Sequence, residues 1–415
     1  SFFKNSNIPV YFFMSIIVAL FMGLTVSAEE IFRDRMILKR ERFLNLSKFS
    51  YLLSKVLVLF IVSAIQTASF VIIGDLVLEI HGVEPGIWAL LFSTSCFANV
   101  LGLNISASFN SAVAIYIIIP LLLIPQLLLS GVVVDFDKFN PKVSNFVSVP
   151  FFGEIMASRW AFEAAMVTQF KNNPYSELVY GYDREIALAD YKKIYYLPAI
   201  ETELDYCLQN TDAKFTRPEE FTASLNIVRT ELQNEMRRFG QTNDSLMQGL
   251  TLKAFDYQVY QASSKVIETL KQVYKKRRSD ADLGKDQVLK KQEAQGVDVS
   301  ALRKRYMNEE VIESVINTRD INRVVKIDGQ LIQKVYPVYG LDRQPAHYFD
   351  FRTGFYAPEK YFMGKQIDTL YFNLAMIWFM TLVFCITLYF DVLKKVVAYL
   401  TPGRVKKKNR KHMHI

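Results

Sequence analysis

The stretch YLLSKVLVLFIVSAIQTASFVII, residues 51–73, carries one charged side chain, Lys55, close to its start. As a helix, an apolar run of this length crosses a hydrocarbon core about 30 Å thick, because each residue rises about 1.5 Å. Four other runs share its character: Ile8 to Ala28, Pro85 to Ser106, Ser111 to Val134 and Ile367 to Tyr389. One such run could be a buried core helix. Five together predict an all-α polytopic membrane protein with five transmembrane helices.

Composition agrees with that reading. Hydrophobic residues make up 51% of the 415 and charged residues 22%, but the apolar blocks crowd toward the two ends, while the interval from Lys171 to Gln366 reads as ordinary polar protein. A uniformly soluble enzyme is thereby excluded. General disorder is excluded too, since an aromatic share of 14% supplies ample surface to bury. The net charge of +8 does not imply nucleic acid as a partner, because the basic residues lie beside the apolar spans. Three cysteines cannot build a disulfide framework. Cys96 and Cys385 fall inside apolar blocks, which leaves Cys207 as the one expected to meet solvent. The chain opens at Ser1, without a methionine or a cleavable leader, and reads as a fragment of a longer polypeptide.

Orientation follows from the basic residues. Arg33, Arg35, Lys39, Arg40, Arg42 and Lys48 crowd the link between the first two spans, and Lys394, Lys395, Arg404, Lys406, Lys407, Lys408, Arg410 and Lys411 follow the last. Both clusters belong on the cytoplasmic side. The expected organisation is four spans within residues 1–134 with a cytoplasmic elbow at 29–50, a re-entrant or interfacial outer segment at 135–170, and an extracytoplasmic insert at 171–366. A last span at 367–392 and a basic cytoplasmic tail at 393–415 complete it. A bacterial inner membrane is the expected location.

The interfacial segment is aromatic, with Phe146, Phe151, Phe152, Trp160 and Phe162. The insert is mostly helical by periodicity. Phe221, Leu225, Val228, Leu232 and Phe239 recur at helical spacing, as do Val259, Val266, Leu270 and Val273, and then Leu302, Val311 and Val315. Val324 to Ile327 and Gln330 to Val335 flank Asp328-Gly329, which predicts a small β-hairpin. The basic run Lys275 to Arg278 reads as a solvated helix end, with an anionic-lipid patch as the alternative.

No phosphate loop, His-Glu-x-x-His, Cys-x-x-Cys or Gly-x-Ser-x-Gly occurs, so no catalytic, cofactor or metal site is expected in this segment. His412 and His414 could grip a metal or simply be a solvated tail. Charged residues are nearly absent from the spans, which argues against ion-coupled transport. Uncharged polar residues do occur there: Ser93, Thr94, Ser95, Asn99 and Asn104 in the third span, Gln126 and Ser130 in the fourth. They serve either hydrogen bonding between helices or the lining of a cavity. Pro120 and Pro125 each remove a backbone donor, so the fourth span should bend or loosen there.

Four pieces in order carry a resemblance. They are Ser27-Ala28-Glu29-Glu30-Ile31-Phe32; Arg40-Glu41 followed by Ser50-Tyr51-Leu52-Leu53-Ser54-Lys55; Ser130-Gly131-Val132-Val133-Val134; and Ser158-Arg159-Trp160-Ala161-Phe162-Glu163-Ala164. Together they resemble the membrane domain of ATP-binding-cassette exporters of the G subfamily (the white type), a type-2 ABC permease, over roughly Ile8 to Phe170 and the final span. The resemblance implies six spans, the first lying before Ser1, and a dimer of such domains. It also implies that each domain is driven by a nucleotide-binding domain upstream on the same full-length chain, where ATP and Mg would be handled.

In that family the elbow rests on the ATPase. The resemblance therefore assigns coupling to Glu29, Glu30, Arg33, Asp34, Arg35, Lys39 and Glu41, whose alternating charges suit a short rigid helix. A plain positive-inside signal is the alternative. The first and fourth spans line the path in the family, which points to Leu20, Gly23, Ser27, Pro120, Pro125, Gln126 and Ser130, with Val132 and Val133 matching the outer apolar plug. Some drug-exporting members present an aromatic and an amide where this chain has Gly23 and Leu20, so stacking of flat drugs is not implied. The insert is also much longer than the family's usual outer loop.

The leading functional expectation is the permease of an ATP-driven exporter that moves an amphipathic or lipid-like substrate outward. The alternatives are a mechanical transmitter that works on an envelope component through the insert, and a membrane anchor that recruits partners without transport.

Overall fold

The computed structural model describes residues 2–41, 47–109, 111–134, 136, 149–211, 213–318, 322–327, 329–340 and 348–400. The chain divides into two compact units: Ser1–Asn173 with Tyr348–Phe355 and Glu359–Ile415, and Pro174–His347 with Tyr356–Pro358.

The first unit opens with α1 (Ile8–Ser27), α2 (Glu30–Glu41), α3 (Lys48–Leu78), α4 (Glu84–Ser108), α5 (Ala112–Leu128), the single turn α6 (Phe151–Glu154) and α7 (Ala157–Lys171). Among the described residues four helical stretches are long and apolar enough to cross a membrane: Ile8–Ile37, Lys48–Leu78, Glu84–Ser108 and Thr369–Tyr389. The expected span from Ser111 to Val134 forms a helix of only 17 residues. Its end is set by Ser130-Gly131, where Gly131 takes a left-handed φ of 81° and turns the chain. Pro120 and Pro125 lie inside that helix, which continues through both.

The α4 span is the axis of this unit. It is 72% buried, against 22% for α3, and it packs on α1, α3, α7 and the last span. Small residues allow the closest crossing. A side chain at Gly23 would meet Ala98 and the Ser95 carbonyl at 2.7 Å, and one at Gly102 would collide with Ser27 Oγ. The polar residues of α4 hydrogen-bond between helices. Asn99 donates to Ser63 Oγ at 2.7 Å, Ser95 donates to the same oxygen at 2.9 Å, and Asn104 donates to the Phe384 carbonyl at 2.9 Å. Asp75, just beyond the expected span end at Ile73, lies in the last turn of α3, which runs on to Leu78, and is buried with neither carboxylate oxygen hydrogen-bonded among the described residues.

The second unit comprises α8 (Ser176–Asp190), a π-helical turn (Tyr191–Tyr196), α9 (Leu197–Gln209), the short α10 (Ala213–Thr216), α11 (Pro218–Arg238), α12 (Asp244–Gly249), α13 (Tyr257–Ala294), α14 (Val299–Tyr306) and α15 (Glu309–Ile316), then β1 (Val324–Ile327) and β2 (Gln330–Gln333). Its core packs Ile200, Leu204, Phe221, Leu225, Val228 and Leu232 against Ile267 and Leu270. The expected hairpin forms, with Ile327 opposite Gln330; Asp328 of its turn lies outside the described residues.

Two expectations need correction here, and a third in part. Cys207 sits in this core at 0% exposure, because α9 turns it toward α11 rather than to solvent. The buried stripe of α13 is centred on Ser263, Ile267, Leu270 and Tyr274; of the expected residues Leu270 is in it, and Val259 and Val266 pack partly buried against the same core. The basic run Lys275 to Arg278 is mid-helix, since α13 continues to Ala294, and Arg278 pairs with Asp190 and Asp282 at 2.8 Å each.

The extra residue of the π-turn re-aims its side chains. Lys192 points inward, fully buried, with its amine 2.5 Å from the Glu235 carboxylate and 3.5 Å from the centre of the Tyr196 ring. Tyr274 donates to Glu235, and Tyr196 to Glu231. Burial pushes the Lys192 amine down to about 8, and the Glu235 charge only partly offsets this.

After the second unit the chain forms β3 (Glu359–Phe362) and β4 (Lys365–Asp368), an antiparallel pair, and then α16 (Thr369–Tyr389) and α17 (Val392–Leu400). The Asp368 carboxylate caps α16 by accepting from the Leu370 amide at 2.9 Å.

Candidate functional site

The segment that the resemblance assigns as the elbow, whose alternating charges suit a short helix, forms helix α2, held from three sides. Glu30 accepts from Lys55 of α3 at 2.7 Å and from Arg33 at 2.8 Å. Asp34 pairs with the same Lys55 amine at 2.7 Å and accepts from the Tyr51 hydroxyl at 3.1 Å. Arg35 donates to the carbonyls of Ser106 at 3.0 Å and Ala107 at 2.9 Å, groups at the end of α4 that have no intrahelical partner of their own. The Phe32 amide donates to Ser106 Oγ at 2.9 Å, and Glu29 accepts from the Tyr116 hydroxyl of α5. Of the seven predicted elbow residues, Glu30, Arg33 and Asp34 are joined through Lys55 of α3 into one ionic group, while Arg35 bonds the end of α4 and Glu29 the Tyr116 hydroxyl of α5. Lys39 and Glu41 lie in the final turns of α2, and their side chains fall outside what is described. Chemically, the arrangement ties a charged helix to three others, so that a force on α2 is shared among them.

The residues assigned to the path fall into two groups. Leu20, Gly23 and Ser27 share one face of α1 and are buried, with Ser27 Oγ donating to the Gly23 carbonyl at 2.6 Å. Gly23 and Ser27 form the close crossing on α4. Pro120 is exposed and Pro125 half-buried on α5. Gln126 is buried and ties the end of α5 to the start of α7: its side-chain oxygen accepts from the Ser158 amide at 3.0 Å, and its carbonyl from Ser158 Oγ at 2.6 Å. Ser130 Oγ donates to the Leu127 carbonyl at 2.8 Å and accepts from the Val132 amide at 3.3 Å, closing the helix end. Val132 is half-buried and Val133 exposed just beyond it. Among the described residues no hydrogen bond joins the α1 group to Ser130 or the valines.

Through Ser158 the α5 end leads into a buried ion cluster. Glu163 of α7 is inaccessible to solvent, yet it accepts from Lys360 of β3 at 2.7 Å and from Asn373 of α16 at 2.9 Å, with the Arg159 guanidinium 3.5 Å away. Lys360 also donates to Thr353, and Arg159 lies 3.9 Å over the Trp160 ring. Burial alone would raise the Glu163 carboxyl, but the Arg159 and Lys360 charges outweigh it and hold the group below its ordinary range. Glu154 is 3.7 Å from Arg159 with neither oxygen hydrogen-bonded among the described residues, and burial pushes its carboxyl up. Trp160 and Phe162, expected at the membrane interface, are buried, whereas Phe151 and Phe152 are exposed.

Sequence reasoning missed Lys55, Lys360 and Asn373 as site residues. Lys360 carries no local signal of its own, since Glu359 adjoins it and Lys365 follows five residues later. Among the described residues no His, Cys, Asp and Glu group is arranged to hold a metal, and His412 and His414 lie outside them.

No curated protein and no solved structure matches the chain. Permease domains of the ABC-2 type generally work with ABC nucleotide-binding domains and sit in a membrane, and the four apolar helices support an integral membrane protein. Residues 1–170, the part that contains the elbow, the α5 end and α7, match the family model of the ABC-2 type transporter, which supports an ABC-2 permease.

Proposed function

We propose that the chain is the permease of an ATP-driven exporter of the white-like G type, moving an amphipathic or lipid-like substrate outward. The observation that carries this reading is the three-sided clamp on α2. A charged helix held by Lys55, by the α4 carbonyls and by Tyr116 is suited to pass a push from a nucleotide-binding domain into the bundle. In this reading α5 completes a fifth span, and a sixth precedes Ser1 on a longer chain. Two copies face each other, and ATP and Mg reside in the partner domain. Residues 135–366 are extracytoplasmic, in a bacterial inner membrane. Leu20, Gly23, Ser27, Pro120, Pro125, Gln126 and Ser130 border the path, and Val132 and Val133 close its outer end. The test is reconstitution of the full-length protein with its ATPase into vesicles. ATP-dependent movement of a labelled phospholipid or amphipathic dye, with matching stimulation of hydrolysis, supports the proposal; hydrolysis without translocation argues against it.

A second reading, the mechanical transmitter, draws on Lys360. The chain enters β3 directly from the second unit, and Lys360 of that strand is locked to Glu163 of α7. Motion of α7 would therefore be felt by the segment through which the insert returns. Hydrolysis that changes protease protection of residues 174–347, without movement of any lipid, favours this alternative.

A further inference from the structure

Helix α17 has three distinct sides. Leu393 and Val397 are half-buried, on a helix that packs against α4. Val392, Val396, Tyr399 and Leu400 fall on one stripe at helical spacing and are exposed, Tyr399 at 84% and Leu400 at 72%. Lys394 and Lys395 occupy the remaining arc, both exposed and without an ion pair among the described residues. A helix with an apolar stripe bordered by lysines is marginal in water and at home in a headgroup layer.

Its place in the chain puts it there. Only Phe390 and Asp391 separate it from the apolar α16, and Asp391 takes a left-handed φ of 52° that breaks the helix and redirects the chain. The break is fixed by Lys48, whose amine lies 2.5 Å from the Asp391 carboxylate and donates to the Tyr389 carbonyl at 2.7 Å. α17 therefore starts where the bilayer ends. The sequence from Val392 to Ile415 contains eight Lys and Arg (Lys394, Lys395, then Arg404, Lys406, Lys407, Lys408, Arg410 and Lys411) and no Asp or Glu. An apolar stripe alone would suit any lipid or a protein groove. The uncompensated positive charge next to it selects an anionic surface, and a lipid surface is the one already at hand at the end of a transmembrane helix.

We propose that α17 is an anionic-phospholipid binding element, with Val392, Val396, Tyr399 and Leu400 in the acyl boundary and Lys394 and Lys395 on lipid phosphates. The sequence beyond it adds charge of the same sign. The element is independent of whether the protein transports anything.

The test uses the full chain reconstituted into vesicles, with an environment-sensitive dye on Leu400→Cys in a Cys385→Ala background, since Cys96 and Cys207 are buried. The proposal expects the dye to be shielded from water in 7:3 phosphatidylcholine:phosphatidylglycerol vesicles and hydrated in pure phosphatidylcholine or at high salt. Lys394→Gln with Lys395→Gln should weaken the phosphatidylglycerol dependence by roughly fivefold per charge removed, while the double arginine variant retains it, which separates charge from folding. Equal shielding in both lipids overturns the headgroup recognition. Hydration in both, or shielding that appears only when the ATPase partner is present, overturns the lipid surface as the occupant.

Discussion

Lys360 donates to Glu163 at 2.7 Å across 197 positions of sequence, and both side chains are buried. Removing Lys360 leaves Glu163 with only the Arg159 guanidinium at 3.5 Å and the Asn373 amide, so the loss should approach but not exceed the about 3–5 kcal/mol of a fully broken buried pair. Lys360→Met should lower the melting temperature of the detergent-solubilised protein sharply. Adding Glu163→Gln should recover part of the loss, because the two sites share one interaction. Additive losses in a double-mutant cycle would show the contact to be incidental.

On the elbow, the expected phenotype is uncoupling rather than unfolding. Glu30→Lys sets a positive charge beside Lys55 and Arg33, whereas these groups are partly hydrated and each pair contributes only about 1 kcal/mol or less. Hydrolysis by the assembled transporter should persist while substrate movement per ATP falls severalfold. The swap of Glu30→Lys with Lys55→Glu should restore part of the ratio. An unchanged ratio in the single variant would reduce α2 to a topological signal.

The second unit should show a pH optimum of stability in the alkaline range. An ordinary lysine titrates near 10.5 and Lys192 near 8, so between those values the unfolded chain binds more protons than the folded one. Stability therefore rises as pH climbs through that window, by up to about 3 kcal/mol. Tyr191, Tyr196 and Tyr274 act in the opposite sense. Burial raises their hydroxyls, so the folded state keeps protons that the unfolded chain loses above about 10, and stability falls there. Thermal exposure of Cys207, read by pulsed thiol labelling, reports both limbs, and Lys192→Met should abolish the first and keep the second.

At the α5 end, Val132→Ala with Val133→Ala shortens two apolar side chains just beyond the Ser130-Gly131 turn. An apolar constriction resists water by dewetting. The double variant should raise ion leak in reconstituted vesicles and loosen the dependence of hydrolysis on substrate. Leak and hydrolysis identical to the parent would make these valines packing residues.

Topology has a direct readout at Ser279, which is exposed on α13. A cysteine there should react with a membrane-impermeant thiol reagent from outside intact cells. Native background should be low, because Cys207 is buried in the same unit. Reaction only after permeabilisation would reverse the orientation read from the basic clusters.

How far the sequence speaks depends on the range of the interaction. The spans and the β1–β2 hairpin are written in local hydropathy and turn chemistry, and the stripe Phe221, Leu225, Val228 and Leu232 is legible because a helix repeats every 3.6 residues. The stripe of α13 was legible in part: Leu270 is buried and Val266 packs partly buried on the core, but tertiary packing decides that the adjacent Ile267 sits deeper. Glu30 and Asp34 were legible as part of a short charged helix from their charge pattern. Their shared partner Lys55 was not, because it sits inside an apolar run, where a lysine reads as a span boundary. Lys360 and Asn373 were beyond reach, for no local pattern says which buried carboxylate a distant strand will meet. The span read as ending at Ile73 because a charge, here Asp75, usually ends an apolar run, whereas the helix continues to Leu78.

Helix α3 has 31 residues, about 46 Å of rod, and its only charges after Lys48 are Lys55 and Asp75. The axial interval between those two is about 30 Å, the thickness of a hydrocarbon core. Lys55 is held at one mark by Glu30 and Asp34, and Asp75 is packed into the bundle at the other. The helix is thus graduated like a ruler against the bilayer. A thicker membrane would draw one of the charges into hydrocarbon, and a thinner one would tilt the rod. Because Lys55 is fastened to Glu30 and Asp34, any such tilt is transmitted to α2, so a change in membrane thickness reaches a helix that itself lies outside the apolar run.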